Sequence, residues 1–242
     1  MKQPDRRLEA RHAVTVHLRD VDDDTFQKCY DDLMRPSFSE AELMTFDEIQ
    51  HARLTGDAGG VVMLADGDPL AIMVTEEYLG GRVSLLAYLV VAADGRGKGI
   101  GSQLIESLPD RQGSPVVLAE IEDPRFYARV DGNDPVARLR FYDRAGSRLL
   151  PLDYVQPSLR AGSPRVENLL LITIKAPGTG IQGQLVADFL AEYYAACEGH
   201  QVLRDDPAFV SLRQAAQGDQ SGWLRSVPLQ DLDAARRGPT EA

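Results

Sequence analysis

The chain has 242 residues, with 26 Lys and Arg against 37 Asp and Glu, which gives a formal net charge of −11 at pH 7 and a pI of about 4.8. This length allows one large domain, or one domain with an appendage, whose core needs no metal or disulfide for stability. The acidic balance argues against non-specific nucleic-acid binding, which requires a basic face. It remains compatible with a local basic pocket for a small polyanion.

The cysteines and the apolar runs bear on the cellular compartment. Cys29 and Cys197 are far apart and show no metal-ligand spacing, which favours free thiols in a reducing compartment and no metal site. Residues 1–14 carry charges but no apolar stretch, so we expect no signal peptide. The longest uncharged apolar run, residues 85–93, is too short to span a bilayer. We therefore expect a cytoplasmic protein that does not enter membranes.

The first part of the chain contains a polar tail at residues 1–11, followed by one strand pattern and two helix patterns. Residues 13–18 alternate between apolar and polar side chains, as a half-buried strand does. Asp24 is a candidate N-cap for a helix that continues through residues 26–33. Residues 37–55 again show helical spacing.

Three strand-like runs follow, at residues 59–65, 69–78 and 82–92. The tight turns between them predict an antiparallel meander. The third run is nearly all apolar, which suits a central strand covered on both faces. It leads into a glycine-rich turn and then into a helix with apolar residues at intervals of four (Ile100, Leu104, Leu108).

The next region combines a strand at residues 114–123 with a well-delimited helix. Side chains alternate along a strand, so Glu120 and Glu122 share one face of it. Asp134 and Pro135 are the predicted cap and first residue of the helix, which Gly146 ends. Two more strand candidates close the region, at residues 147–155 and 166–174.

Beyond Pro177 the pattern becomes helical. Residues 183–200 place their large apolar side chains on one broad stripe of a helix. Asp206 opens a second helix, which Gly218 ends. The tail after Trp223 is polar, and we expect it to be disordered.

Residues 88–104 contain a buried strand, a glycine-rich turn and an amphipathic helix in direct succession. Glycines allow backbone N–H groups to approach an anion, and a helix N-terminus adds partial positive charge, so the turn is a candidate phosphate cradle. A dinucleotide-binding motif fails because Ile100 or Ser102 stands where its last glycine is required. A P-loop fails because Gly99 follows Lys98 where Ser or Thr is needed. A glycine-rich turn without a ligand is the alternative.

Arg96, Gly99 and Gly101 match the pattern R-x-x-G-x-G directly after the strand. At these residues the sequence resembles the GNAT superfamily of acyl-CoA-dependent N-acyltransferases. A meander before the motif and a glutamate-bearing strand after it strengthen the resemblance, which covers residues 13–175. The helix that follows contributes F-Y-x-x-x-G, similar to the family's second cofactor motif (Phe141, Tyr142, Gly146).

The resemblance implies an α/β GNAT fold, with a mixed, mostly antiparallel central sheet flanked by helices. The acyltransferase domain would occupy residues 12–176, after the tail at residues 1–11. Residues 177–242 would form a C-terminal helical extension with a polar tail, which minimal members of the family lack. The extension packs onto its own domain or onto a second subunit as a homodimer, or it covers the acceptor cleft as a lid.

The resemblance also implies where acetyl-CoA, the expected co-substrate, is bound. The strand before the loop would pair its backbone with the pantetheine arm, and the N–H of Val91 would polarise the thioester carbonyl. Asn133 is an approximate match to an asparagine that contacts the cofactor. The predicted cofactor residues are Leu89, Val90, Val91, Arg96, Gly97, Lys98, Gly99, Ile100, Gly101, Ser102 and Asn133. Three arginines of the later helix either assist with the nucleotide phosphates or are simply solvated (Arg138, Arg140, Arg144).

Direct attack of an amine on a thioester requires a base and an acid. Tyr142 occupies the position where the family commonly keeps the acid; its alternative role is that of a core aromatic. Glu120 is the predicted base, because its segment A-E-I-E resembles the glutamate-bearing strand of ribosomal-protein N-terminal acetyltransferases. Glu122 is the second candidate. Alternatively, both glutamates only bind substrate or solvent.

The predicted function is transfer of an acyl group, most simply acetyl, from acyl-CoA to a primary amine. The family's compact loop is lengthened here by residues 124–135, so we do not carry over peptide specificity and expect a small-molecule acceptor. No metal, membrane or nucleic acid is expected to take part. The alternatives are a CoA-binding module without turnover and a transferase that takes its acyl group from a carrier protein or an aminoacyl-tRNA.

Overall fold

A computed structural model describes residues 13–109, 115–130, 133–160, 162–174 and 178–232. The predicted tail at residues 1–11 lies outside these ranges. The described strands are β1 (Ala13–His17), β2 (Ala58–Ala65), β3 (Asp68–Tyr78), β4 (Val83–Val91), β5 (Val116–Glu122), β6 (Arg148–Leu149), β7 (Leu169–Ile174), β8 (Gly180–Gln182), β9 (Trp223–Arg225) and β10 (Val227–Pro228).

Eight of these strands form one sheet in the order β1-β2-β3-β4-β5-β7-β6-β10, and β8 pairs with β9 in a separate ribbon. The β4–β5 pair is parallel, and the other neighbouring pairs of the described sheet are antiparallel. This arrangement confirms the predicted meander and the predicted mixed, mostly antiparallel sheet.

Helices cover both faces of the sheet. They are α1 (Asp23–Lys28), which continues as a π-helical segment (Cys29–Met34), α2 (Phe46–Thr55), α3 (Ile100–Ser107), α4 (Pro135–Arg144), α5 (Gly183–Glu198), α6 (Val202–Asp205) and α7 (Pro207–Ala216). On one face, α1 and α2 pack over β2, β3 and the end of β4, whereas α5 and α7 pack over β4, β5 and β7. On the other face lie α3 and α4. None of the helices in the described ranges has the length and apolar character that a membrane span requires.

A β-bulge in β4 separates the two central strands. The β3–β4 register shifts between Val74 and Thr75, whose partners are Tyr88 and Leu86, and this leaves Ala87 as an extra residue. The parallel ladder between β4 and β5 also ends at Leu86. Beyond the bulge β4 leaves β5, and a gap opens between the two strands.

The first helix begins two residues earlier than predicted. Asp22, and not Asp24, is its N-cap, because Asp22 has an extended backbone and its side chain accepts a hydrogen bond from the Thr25 N–H at 2.9 Å. Asp24 lies inside the first turn, where a negative charge still complements the helix N-terminus. The predicted cap was therefore wrong.

Two other predicted elements are shorter in the structure. The helical pattern of residues 37–55 gives a helix only from Phe46 onward, because Thr45 caps it and forms a capping box with Glu48. The strand predicted over residues 147–155 is limited to β6. Pro151 explains this limit, since it has no N–H with which to continue the ladder.

The C-terminal extension joins the core of the sheet. The buried side of α5 packs against Val83 and Leu85 of β4 and Leu118 of β5. The extension therefore packs onto its own domain. The predicted disorder after Trp223 is wrong as far as Leu232, because β9 and β10 form there and the last apolar side chains are buried with α3 and α4 (Leu229, Leu232).

The start of α5 depends on a close backbone contact with the end of α7. A Cβ added at Gly183 would lie 2.0 Å from the carbonyl oxygen of Gln217, and a backbone atom cannot easily move away. We expect Gly183→Ala to lower the free energy of unfolding by about 1–3 kcal/mol, the usual cost of overpacking. Urea unfolding measures this, with Gln184→Ala, an exposed neighbour, as the control. A Gly183→Ala variant as stable as the control would contradict the close packing of α5.

Candidate functional site

The gap between β4 and β5 opens into a cavity of about 640 Å³ between the end of β4, the following loop and α4. It is called the larger cavity because it exceeds the second cavity that Glu120 lines. The N–H of Ala92 donates to the Leu70 carbonyl at 2.8 Å, so Val90, two residues earlier, also directs its backbone groups towards β3. Leu89 and Val91 direct theirs to the opposite side, which is the cavity. The backbone groups of Leu89 and Val91, which are predicted to contact the cofactor, thus border the cavity, and no strand in the described ranges pairs with them on that side.

The glycine-rich loop presents N–H groups at one end of this cavity. Gly97 and Gly99 have φ of +75° and +81°, and a Cβ at either position would meet nothing within 4 Å. Gly99 is the N-cap of α3, and the first hydrogen bond of the helix runs from the Gln103 N–H to the Gly99 carbonyl at 3.0 Å. The preceding N–H groups are therefore available to an anion, as at any helix N-terminus (Ile100, Gly101, Ser102).

Basic side chains add positive charge around the larger cavity, whose wall includes Arg96, Arg129, Arg138 and Arg144. Lys98 and Arg140 are exposed and are not on the wall. The Lys98 N–H donates instead to the Gly95 carbonyl at 3.4 Å. The cavity, its loop amides and its arginines together fit an elongated ligand that carries phosphates.

Glu120 lies on β5 just beyond the end of the parallel ladder, on the wall of the larger cavity. Its carboxylate accepts hydrogen bonds from the Tyr154 hydroxyl, from Gln156 Nε2 at 2.7 Å and from the Tyr193 hydroxyl at 3.5 Å. Burial raises the pKa of Glu120 to about 7, and the charge of Glu76 adds to this effect, while the hydrogen bonds oppose it. A carboxyl with this pKa can take and release a proton at neutral pH.

Glu122, the other candidate base, is held in an ion pair. Asn133 Nδ2 lies 2.8 Å from both carboxylate oxygens of Glu122, and an Arg138 guanidinium nitrogen lies 3.1 Å from one of them. Glu122 is buried and is not on the wall of the larger cavity. Asn133 does line that cavity, although Glu122 occupies its amide NH₂.

Tyr142 projects from α4 into the wall of the larger cavity. Burial raises the pKa of its hydroxyl to about 12, and Arg138 reduces that rise. Its ring also packs edge-on against Phe141, with the centroids 5.0 Å apart. The phenol therefore stays protonated at neutral pH, and the residue also serves as a packed aromatic.

A second cavity of about 360 Å³, called the smaller cavity, lies on the other side of Glu120. It occupies the space between α2 and α5, with β3 and β4 beneath it, and it shares Ala87 and Glu120 with the larger cavity. Six carboxylate side chains line it: Glu42, Glu48, Asp57, Glu76, Glu77 and Glu120. Its lining among the described residues includes no Lys, Arg or His.

Sequence analysis missed the partners that surround Glu120. Tyr154 and Gln156 stand two apart in an extended segment, a spacing that puts both side chains on one face and that could have drawn attention to them. Tyr193 lies within residues 183–200, whose apolar stripe gives no sign of a hydrogen bond to Glu120. No sequence pattern around Glu76 marks it as a site residue, because acidic residues near the end of a strand are common.

Comparison with known proteins agrees with this architecture. The family model described as the acetyltransferase (GNAT) family matches residues 24–146. No curated protein matches the chain. Among solved structures, one from Bacteroides thetaiotaomicron assigned to the GNAT acetyltransferases is 17% identical, with a TM-score of 0.50, and the match covers 74% of this chain and 90% of that one.

Two further structural neighbours are more distant. The ribosomal-protein-S18-alanine N-acetyltransferase of Escherichia coli is 14% identical, with a TM-score of 0.46 and coverage of 69% of this chain and 96% of that one. An Arabidopsis thaliana protein in complex with a bisubstrate analogue that contains CoA is 12% identical, with a TM-score of 0.46 and coverage of 66% and 97%. The family match spans slightly more than half of the sequence, and the fold agrees with it. The chain therefore belongs to the GNAT family of acetyltransferases, enzymes that transfer the acetyl group of acetyl-CoA to an amine.

Proposed function

We propose that this enzyme acetylates the primary amine of a small molecule, with acetyl-CoA in the larger cavity and the amine in the smaller one. The observation that carries the proposal is that Glu120 lines both cavities. A base in that position can accept a proton from the amine nitrogen while the amine lies next to the thioester of acetyl-CoA. The volume of the smaller cavity, about 360 Å³, falls in the range of small-molecule sites.

The loop after β4 provides the donor side of the site. The N–H groups at the start of α3 bind the pyrophosphate, and the arginines of the cavity wall offset its charge. The N–H of Val91 borders the gap and donates to the thioester carbonyl, which becomes more negative as the amine attacks. These roles need backbone groups and open space, which the positive φ values of Gly97 and Gly99 supply.

The proton balance assigns different tasks to Glu120 and Tyr142. An amine that enters as an ammonium ion loses one proton to Glu120, and its nitrogen then forms a bond to the acetyl carbonyl carbon. Glu120 releases the first proton to solvent, and the nitrogen passes a second proton to water as the carbon–sulfur bond breaks. Tyr142 protonates the departing sulfur, and its own proton is replaced, so that one proton in total leaves to solvent.

We expect the wild-type kcat/KM to rise with pH through an apparent pKa of about 7, because Glu120 accepts a proton only when it is ionised. Glu120→Gln removes this rise and lowers kcat by about 10²–10⁴-fold, the usual contribution of a general base. A pH profile with an amine substrate measures both effects. Glu122→Gln is the control and keeps the rise. If the Glu122 variant loses the rise and the Glu120 variant retains it, the assignment of the base is wrong.

Tyr142→Phe tests the acid. The substitution preserves the ring and its packing on Phe141, so we expect unchanged affinity for acetyl-CoA by calorimetry and a kcat about 10²-fold lower. A residue that serves only as a core aromatic would leave kcat unchanged.

Gly99→Val tests the phosphate cradle. A β-branched residue at φ +81° is strained and places methyl groups in the open space of the loop. We expect the Kd for acetyl-CoA and CoA, measured by calorimetry, to rise about tenfold or more. Gly67→Val is the matched control, since Gly67 has φ +88° and equally open surroundings in the β2–β3 turn. Equal effects of both variants, wild-type affinity in Gly99→Val, or no binding of CoA to the wild type would each overturn the placement of the cofactor.

A further inference from the structure

We propose that the acceptor is a linear aliphatic diamine or polyamine, whose reacting amine lies at Glu120 and Gln156 while a second ammonium ion pairs with Glu76. This inference rests on the proposed function, because it assigns the smaller cavity to the amine.

The charge of the smaller cavity selects the sign of its ligand. Its wall has six carboxylate side chains and, among the described residues, no basic one. Glu48, Asp57 and Glu77 are exposed and Glu76 and Glu120 are half-buried, so the negative charge extends from the solvent side inwards. A concave, partly desolvated wall of one charge concentrates ligands of the opposite charge. A cation with several charges fits this wall better than a monoamine.

The cavity wall beside Glu120 includes a buried side chain whose acceptor atom has no donor among the described residues. Gln156 is only 6% exposed, lines the cavity, and directs its Nε2 to Glu120. Among the described residues nothing donates a hydrogen bond to its Oε1. The opposite orientation of the amide would place this oxygen against the Glu120 carboxylate, which already needs a donor. A buried amide oxygen of this kind requires an N–H donor, and a substrate ammonium has three.

Glu76 provides the position for a second charge. One of its carboxylate oxygens accepts a hydrogen bond from the Tyr78 hydroxyl at 2.8 Å, and the other has no such bond among the described residues. Burial raises the pKa of Glu76, so its ionised form gains from a cation placed beside it. The proximity of Glu76 and Glu120 also raises the pKa of Glu120, and one bridging dication would relieve this repulsion.

The remaining wall suits methylene groups. Met44, Leu85 and Ala196 are apolar, and the rings of Tyr78 and Tyr193 stand edge-on with centroids 5.6 Å apart. A chain of methylenes between two ammonium groups presents the same alternation of apolar and cationic parts. Aromatic rings also attract cations that lie over their faces.

Three probes of matched length separate charge from size: putrescine, n-pentylamine and δ-aminovalerate, which carry an ammonium, a methyl and a carboxylate at the far end. We expect kcat/KM for putrescine to exceed that for n-pentylamine about tenfold or more, as a contact with a charged group does. δ-Aminovalerate should be the poorest substrate. Glu76→Gln should lower the ratio of kcat/KM for putrescine to that for n-pentylamine about tenfold, because any effect of Glu76 on the pKa of Glu120 is common to both amines. Glu167→Gln, which removes an exposed charge outside both cavities, should leave the ratio of the two unchanged.

Unchanged acetyl-CoA affinity establishes that the Glu76 variant is folded. Equal activity on putrescine and n-pentylamine, preference for δ-aminovalerate, or an unchanged ratio in Glu76→Gln would overturn the diamine inference and leave the proposed function standing. Calorimetric titration of the CoA-loaded enzyme with putrescine separates the opposite case. Binding that Glu76→Gln weakens, without turnover of any of the three amines, refutes the proposed function and the acceptor role of the diamine, and leaves only a dication site in the smaller cavity. No binding of putrescine, together with turnover of n-pentylamine, refutes the diamine inference alone.

Discussion

The extra residue at Ala87 governs how the site is built. Helices α2 and α5 cover the same face of the sheet. Before the bulge the odd-numbered residues of β4, Val83 and Leu85, point to this face, and after the bulge the even-numbered residues, Tyr88 and Val90, do so. Without the extra residue, the second half of β4 would turn its apolar side chains to the wrong faces. The same irregularity coincides with the end of the β4–β5 ladder. One inserted residue therefore opens the gap and also keeps the core intact on both sides of it.

This gap joins two cavities of contrasting electrostatic character. The larger one has helix N–H groups and arginines on its wall, and the smaller one has carboxylates. Glu120 lies where they meet, and its partial burial is unfavourable for a charge. Tyr154 and Gln156 offset part of that penalty by donating hydrogen bonds, so that the pKa of Glu120 rises only to about 7. If the hydrogen bonds offset the whole cost of burial, the pKa of Glu120 would be lower and the carboxylate would be too weak a base. Without these hydrogen bonds, the carboxyl group would stay protonated at neutral pH.

Local sequence signals predicted the strand–loop–helix motif, the Asp134 cap and the Glu120 strand, because each depends on neighbours within a few residues. They failed at Asp22, because three consecutive aspartates are equally suitable caps. Only the backbone shows at which of them the extended segment ends and the helix begins. The surroundings of Glu120 were beyond reach for another reason. Its hydrogen-bond partners stand 34, 36 and 73 residues away in sequence, so that only the packing of β7 and α5 on the sheet brings them together.

The C-terminal extension therefore contributes to the site as well as to the core. α5 supplies Tyr193 to the Glu120 carboxylate, and its C-terminal Glu198 pairs with Arg165 at 2.6 Å, which fixes the segment that follows Gln156. Half of the residues that line the larger cavity come from one contiguous stretch, residues 86–102, whereas those that line the smaller cavity come from α2, β3, β4, β5, α5 and the loops between them. A ligand common to a whole family can be bound by a short local motif. Under the proposed function, the amine site depends on long-range packing, and we expect α5 and the segment before β7 to have more influence on specificity than the glycine-rich loop.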